Sequence, residues 1–153
     1  MSLDFLDTSA VVKLYIYEAG TERMRSLFSG DVDRLFTVSS LTQVEVRSAI
    51  RKRERLQEID GALAVKAIVL FEQHFQARYI IQPINNMILE DAKVLVDRRG
   101  LRAYDAIQLA ACLAVKGSAG ENAATFVCAD RDLLKAAESE GLEVLNPTDE
   151  RLR

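Results

Sequence analysis

The sequence is poor in the residues that build zinc sites, disulfides or cysteine–histidine nucleophiles. It contains no tryptophan, one histidine and two cysteines in 153 residues. Cys112 and Cys128 lie in apolar runs without a partner motif, so we expect two buried, reduced thiols. His74 lies between Phe71 and Phe75 on a long amphipathic segment, where we expect a helix-surface or core-edge residue. Cysteine–histidine catalysis is therefore disfavoured.

Long hydrophobic runs and a strong charge imbalance are also missing. The apolar runs are much shorter than the roughly 20 residues that a transmembrane helix needs, and no signal peptide is evident. We therefore expect a cytoplasmic protein without a membrane partner. The net charge of −3 gives no general attraction to nucleic acid, although cations bound at a carboxylate site could invert the local charge. The length and the apolar content of 49% fit one domain over residues 1–153.

Hydrophobic periodicity and turn residues predict strands that alternate with helices. Strands are predicted up to residue 6 and over 35–38, 79–81, 125–128 and 142–145, with helices over 8–18, 21–28, 41–56, 61–78, 87–99, 104–115 and 133–140. Thr8 or Ser9 is expected to cap the first helix, and Ser39, Ser40 or Thr42 the third. This order predicts an α/β fold, with helices on both faces of a central, mainly parallel sheet of about five strands.

Four acidic residues lie in comparable local contexts. Asp7 follows the first strand, Glu45 shares a helix stripe with apolar residues, Asp105 begins a buried helix, and Asp130 follows a later strand. An acid at the carboxyl end of the first parallel strand lies where open α/β sheets bind ligands. Each acid alone is explained as a helix cap or helix residue. If the four converge, hard cations with oxygen ligands, Mg²⁺ or Mn²⁺, are the natural way to keep them ionised.

The motifs around these acids resemble those of a known family. They are Leu6-Asp7-Thr8-Ser9, Glu45 followed by Val46-Arg47-Ser48-Ala49, Tyr104-Asp105-Ala106-Ile107-Gln108-Leu109-Ala110, and Cys128-Ala129-Asp130-Arg131-Asp132-Leu133. In this order and spacing they resemble PIN-domain ribonucleases, and within that family they are most similar to the VapC toxins of toxin-antitoxin pairs. The resemblance extends over nearly the whole chain and implies a PIN-like three-layer α/β/α sandwich.

The resemblance implies a function and a set of site residues. A metal-dependent endoribonuclease would use Mg²⁺ or Mn²⁺ held by Asp7, Glu45, Asp105 and Asp130, with an RNA substrate, a cognate antitoxin and a homodimer as expected assemblies. Ser9 matches the hydroxyl residue near the family's first acid, and Asp132 is a candidate fifth acid. The chain differs from the family at Ala129, where a threonine or serine often precedes the late acid.

Several basic residues are candidates for phosphate contacts. Arg98, Arg99 and Arg102 shortly precede Asp105, and we expect them to contact substrate phosphates. The basic run over residues 51–55 ends the helix that carries Glu45. This run either forms a solvated helix end that complements the helix dipole or contacts RNA or an antitoxin.

Three other protein classes compete with the nuclease hypothesis. A haloacid-dehalogenase-type phosphatase needs a second acid two residues after its first, where this chain has Ser9, and a well-placed late lysine, for which Lys116 and Lys135 fit poorly. A phosphoacceptor receiver domain needs an acidic pair near its first strand. A catalytically silent PIN scaffold that only binds a partner stays open, although the presence of all four acids argues against it.

Overall fold

The structure is a computed structural model that describes residues 2–30, 32–120 and 124–149. Its strands are β1 (Ser2–Leu6), β2 (Arg34–Ser39), β3 (Ile80–Gln82), β4 (Ala124–Val127) and β5 (Glu143–Leu145). Its helices are α1 (Thr8–Val11), α2 (Thr21–Ser29), α3 (Thr42–Arg55), α4 (Gly61–Ala77), α5 (Asn86–Arg99), α6 (Ala103–Ser118) and α7 (Arg131–Ser139), with a 3₁₀ turn at Val12–Leu14. The alternation of strands and helices agrees with the prediction.

The strands form one parallel sheet with the order β3-β2-β1-β4-β5. Phe5 of β1 pairs with Thr37 on one side and with Phe126 on the other. The chain adds β2 and β3 on one side of β1 and then returns to add β4 and β5 on the other side. A crevice therefore opens between the carboxyl ends of β1 and β4, the position at which such sheets bind ligands.

Side chains of neighbouring strand residues enter two separate cores. Phe5 and Phe126 belong to a core that contains residues of α5, α6 and α7, whereas Leu6 and Val127 belong to a core that contains residues of α1 to α4. Because successive strand residues point to opposite faces, the helices cover both faces of the sheet. The predicted three-layer α/β/α sandwich is thus confirmed.

Three local predictions were wrong. The first helix ends at Val11 and is followed by the 3₁₀ turn at Val12–Leu14, instead of continuing to residue 18. Lys13 Nζ in this turn forms a partly buried ion pair with Glu18 Oε1 at 3.0 Å. Asp7, not Thr8 or Ser9, caps α1 through its side chain. The third helix has no side-chain cap, because Ser40 Oγ accepts from the backbone amide of Ile84 instead.

The predictions for individual side chains hold in this fold. Cys112 and Cys128 are both buried and free. His74 lies at the edge of a core, where its Nδ1 is 2.8 Å from the hydroxyl of Tyr15, and burial followed by the charge of Arg78 lowers its pKa. None of the helices described in residues 2–30, 32–120 and 124–149 has the length and apolar character needed to cross a membrane.

Candidate active site

Asp7 lies at the carboxyl end of β1, and Ser9 at the start of α1 holds its side chain. One oxygen, Oδ2, accepts from the backbone amide of Ser9 at 3.1 Å and from Ser9 Oγ at 2.6 Å. Ser9 Oγ in turn accepts from the backbone amide of Ala129 at 3.0 Å. Ser9 therefore connects the end of β1 with the segment after β4, so two sequence motifs meet at this hydroxyl.

Asp130 lies across the crevice from Asp7, and Cys128 lies between them. Asp130 caps α7, because its Oδ1 accepts from the backbone amide of Leu133 at 3.0 Å. Cys128 Sγ accepts from the backbone amide of Asp130 at 3.3 Å and lies 3.6 Å from Asp7 Oδ2. Burial, followed by the charge of Asp7, raises the pKa of Cys128, so the thiol stays protonated as a donor to Asp7. The sequence analysis did not predict that Cys128 contacts both Asp7 and Asp130.

Glu45 enters the site from the first turn of α3 and is fixed by two donors. Its Oε1 accepts from Thr8 Oγ1 at 2.9 Å and from Gln108 Nε2 at 2.7 Å. Gln108 Nε2 also lies 3.1 Å from Thr42 Oγ1, and Gln108 Oε1 is buried without a hydrogen-bond partner. Gln108 is therefore bonded directly to an acid of the site. The sequence analysis missed the roles of Thr8 and Thr42, although Thr42 precedes Glu45 by one helical turn.

Asp105 differs from the other three acids because the described chain gives it no hydrogen-bond donor or ion pair. It lies half-buried in the first turn of α6. Burial raises its pKa most, the charges of Asp7 and Asp130 raise it further, and the charge of Arg102 lowers it in part. A partly desolvated carboxylate thus interacts with two other carboxylates, and the charge of Arg102 offsets their repulsion in part.

The four predicted acids therefore share one electrostatic environment. Burial raises the pKa of Asp7, hydrogen bonds from Ser9 and Cys128 oppose this, and the charge of Glu45 adds to it. Asp105 interacts with Asp7 and Asp130 in the same way. Mutual repulsion of nearby carboxylates disfavours their ionised forms unless a cation joins them.

The donor set suits a hard divalent cation, although the acids do not form a closed ligand shell. In the part of the chain that the structure describes, no three acidic, histidine or cysteine side chains form a ready metal-binding group. Carboxylate oxygens are the ligands that Mg²⁺ and Mn²⁺ prefer, and Mg²⁺ commonly keeps several waters and takes only one or two carboxylates. The carboxylate of Asp105, which interacts with Asp7 and Asp130, fits such a partly hydrated ion.

The predicted phosphate-binding arginines occupy two different places. Arg102 is the residue that precedes the first turn of α6, and its charge acts on Asp105. Arg98 and Arg99 both bind Glu140, with Arg98 Nη1 and Arg99 Nε each 3.0 Å from its Oε1. Glu140 lies at the end of α7 that is opposite to Asp130, so the structure brings only Arg102 to the acids.

Among the described residues, Asp132 and the basic run over residues 51–55 make no side-chain hydrogen bond or ion pair with the four acids. Asp132 is exposed in the first turn of α7. Within the basic run, Arg51 pairs with Glu54 and Arg53 pairs with Glu18. The run is thus partly occupied by intramolecular ion pairs.

The fold and the site define an α/β protein with a carboxylate-lined crevice at the switch point of a parallel sheet. The chain belongs to the PIN domain family, whose model matches residues 5–139. No curated protein sequence matches it significantly.

Solved structures with the same fold include three named complexes. VapBC2 from Rickettsia felis bound to a promoter DNA fragment is similar with a TM-score of 0.62 and 14% identity, over 94% of this chain and 98% of the other. VapBC-1 from nontypeable Haemophilus influenzae gives a TM-score of 0.60 and 14% identity over 96% and 99%. FitAcB from Neisseria gonorrhoeae gives 0.59 and 20% identity over 94% and 97%. At these identities the likeness shows a shared fold.

Proposed function

We propose that this protein is a divalent-metal-dependent endoribonuclease that hydrolyses RNA phosphodiester bonds. The observation that carries the proposal is Asp105, a half-buried carboxylate without a donor that faces Asp7 and Asp130 at the switch point of the sheet. Such an arrangement is costly in an empty site and favourable around a cation. Membership of the PIN domain family supports the same class of chemistry.

Each acid has a distinct role in this proposal. Asp7 and Asp105 would be the main ligands of Mg²⁺ or Mn²⁺, with Glu45 and Asp130 completing the ligand set directly or through water. The ion would supply activation of a water molecule and neutralisation of charge on the scissile phosphate. Ser9 and Cys128 hold the carboxylate of Asp7 in place.

The chain's own donors fix the remaining acids before substrate arrives. Thr8 and Gln108 orient Glu45 toward the crevice, and the backbone amide of Leu133 orients Asp130. Arg102 is the arginine that we assign to the substrate phosphate, because its charge already acts at Asp105. Arg98 and Arg99 would need to leave Glu140 before they could contact RNA.

A phosphatase of the haloacid-dehalogenase type is less compatible with this geometry. That chemistry places a proton-donating acid two residues after the first aspartate, where this chain has Ser9. Ser9 Oγ is committed to Asp7 Oδ2 at 2.6 Å and to the amide of Ala129 at 3.0 Å. Asp7 is therefore better suited to bind a cation than to accept a phosphoryl group.

We also propose that the protein is the cytoplasmic toxin of a type II toxin-antitoxin pair, acting as a single domain over residues 1–153 and as a homodimer. The motif resemblance to VapC toxins and the shared fold with the VapBC structures support a cognate antitoxin as protein partner. Expression of the wild-type chain should arrest growth, and co-expression of the protein encoded by a short neighbouring gene should restore it. Normal growth with the wild-type chain would reject the toxin role without rejecting nuclease activity.

The nuclease proposal is tested by RNA cleavage with purified protein in Mg²⁺ or Mn²⁺. Wild type should cleave, whereas Asp7→Asn and Asp105→Asn should each lose at least about 100-fold in rate, the scale of losing one electrostatic contribution to the transition state. Asp91→Asn, at an exposed position on α5, is a matched control that should retain full activity. Equal cleavage by wild type and both site variants would reject the proposal, and cleavage by none of the proteins would favour a silent binding scaffold.

A further inference from the structure

A groove of about 370 Å³ lies beside Glu45, one of the four acids, and is lined mainly by residues of α3. Its lining includes the apolar Val44 and Ala49, the charged Lys52, and Thr8 and Tyr104 from the starts of α1 and α6. Its volume is within the range of small-ligand sites, about 300 to 1,000 Å³. The groove shares Glu45 with the four acids, so a ligand bound in the groove would lie next to the crevice.

Tyr104 gives the groove a flat aromatic surface next to an acid of the site. It directly precedes Asp105 in the first turn of α6 and is 63% exposed. Val44, which faces the same groove, is 64% exposed. An exposed aromatic ring beside a nuclease centre is the element on which single-stranded nucleic acids stack their bases.

Lys52 gives the groove an available positive charge. Its neighbours Arg51 and Arg53 are engaged with Glu54 and Glu18, whereas no carboxylate of the described residues forms an ion pair with Lys52. Glu45 and Lys52 are two helical turns apart on α3, about 10 Å at the usual rise per residue. That separation leaves room for a base between a phosphate at Lys52 and the acid set.

We infer that this groove binds one nucleotide of a single-stranded RNA next to the scissile bond, with its base stacked on Tyr104 and its phosphate paired with Lys52. The inference rests on the proposed function, because it adds a binding site to the same substrate. A stacked base must be unpaired, so the substrate class is single-stranded RNA or a loop, and duplex RNA is excluded from the groove.

The absence of tryptophan from the sequence allows a direct test. Tyr104→Trp introduces one fluorophore at the proposed stacking surface, and Tyr17→Trp introduces one at a position that is 71% exposed and outside the groove. Both are made in the Asp105→Asn background with Mg²⁺ present, so that RNA binds without being cleaved. A fluorescein-labelled single-stranded RNA of mixed sequence reports binding independently through its anisotropy.

The expected result is saturable quenching of Tyr104→Trp at the same RNA concentrations that raise the anisotropy, with no quenching of Tyr17→Trp. Duplex RNA of the same sequence should not quench. RNA binding without quenching of Tyr104→Trp, equal quenching of both variants, or no RNA binding at all would overturn the inference. Quenching by an arginine-rich peptide but not by RNA would assign the groove to a protein partner and would also overturn it.

Alanine variants separate the two contacts. Tyr104→Ala should weaken single-strand binding by about 5- to 150-fold, the range of one base–aromatic stack, and Tyr104→Phe should restore it. Lys52→Ala should reduce the slope of log affinity against log salt by about 0.7, whereas Lys66→Ala, at an exposed lysine on α4, should not change it. An unchanged affinity for Tyr104→Ala and an unchanged slope for Lys52→Ala would refute the assignment.

These binding measurements do not depend on catalysis. If wild type fails to cleave RNA while Tyr104→Trp is quenched, the proposed nuclease function fails and the groove assignment stands. If wild type cleaves RNA while Tyr104→Trp is not quenched, only the groove assignment fails.

Discussion

Replacing Gln108 by methionine should separate activity from stability. Gln108 is 1% exposed and its Nε2 lies 2.7 Å from Glu45 Oε1, 3.1 Å from Thr42 Oγ1 and 3.2 Å from Thr8 Oγ1. An amide nitrogen has two hydrogens, so it makes two full hydrogen bonds among these three acceptors. Methionine has a similar length and no hydrogen-bond donor, so Gln108→Met removes those bonds with little change in packing.

The contacts give the magnitude of the change in stability. A hydrogen bond to a charged group contributes about 1.5 to 3 kcal/mol, and one to a neutral hydroxyl about 0.5 to 1.5 kcal/mol. Against this loss, Gln108→Met removes the buried Oε1 that has no partner, which relieves about 1 to 3 kcal/mol. The two effects nearly cancel and leave a net destabilisation of about 1 kcal/mol. For a chain of this size that lowers the melting temperature by about 2 to 4 °C.

Activity should respond much more strongly than stability. Without Gln108, Glu45 keeps only the hydrogen bond from Thr8, so its carboxylate is no longer fixed toward the crevice. We expect kcat for RNA cleavage to fall at least about tenfold, because misplaced catalytic groups are costly even at small displacements. KM should stay unchanged. Gln73→Met, at an exposed position on α4, is the control.

The assays are thermal unfolding and steady-state cleavage of the same protein preparations. A drop in melting temperature far above 4 °C would mean that Gln108 Oε1 is satisfied, and the cancellation argument would be wrong. An unchanged kcat would mean that Glu45 does not need Gln108 to hold its orientation. The first result would refute the statement that Gln108 Oε1 has no partner, and the second would refute the statement that Gln108 Nε2 orients Glu45.

Three further outcomes follow from the site. The pKa of Asp105 is raised in the folded state, so its ionisation destabilises the wild-type fold as pH rises above the pKa of the unfolded chain. In EDTA, the free energy of unfolding of Asp105→Asn relative to wild type should therefore increase between pH 4 and pH 7, as measured by denaturant unfolding. Arg102→Ala should raise KM for RNA several-fold, whereas Arg98→Ala should leave KM unchanged and lower the melting temperature slightly, because Arg98 pairs with Glu140. Cys128→Ser should keep cleavage within a few-fold of wild type, and Cys128→Val should reduce it, because only serine replaces the donor to Asp7.

Each of these outcomes has a result that would contradict it. A pH-independent stability difference for Asp105→Asn would show that its carboxylate is not penalised in the fold. Equal effects of Arg98→Ala and Arg102→Ala on KM would remove the distinction between the two arginines. Full activity of Cys128→Val would show that Asp7 does not need the thiol.

The positions of the acids in the chain explain why they lie near one another in the fold. Asp7 and Asp130 each follow a strand of one parallel sheet, so the carboxyl ends of those strands had to place them at the same edge. Asp105 and Glu45 begin helices, and helices that connect parallel strands start at that edge. The sheet and its helical layers follow from the same pattern of alternating elements.

The features that the sequence did not reveal depend on contacts between distant residues. Gln108 and Glu45 are far apart in the chain, and their hydrogen bond exists only because α3 and α6 approach each other. Likewise, Arg98 was grouped with Arg102 by sequence proximity, but α5 ends beside Glu140 and not beside the acids. Apolar periodicity also did not reveal the early end of α1 or the ion pair that Lys13 makes with Glu18 beyond it.

The four acids differ in the hydrogen bonds that they accept from the chain. Asp7, Glu45 and Asp130 each accept from donors of the chain, so their orientations are determined before any ligand binds. Asp105 has no such donor in the described chain, and α6 begins without a side-chain cap. Burial and the charges of Asp7 and Asp130 raise the pKa of Asp105, and a cation bound beside it would favour its ionised form. Tyr104 directly precedes Asp105, so the first turn of α6 supplies both a candidate ligand carboxylate and an aromatic side chain of the neighbouring groove.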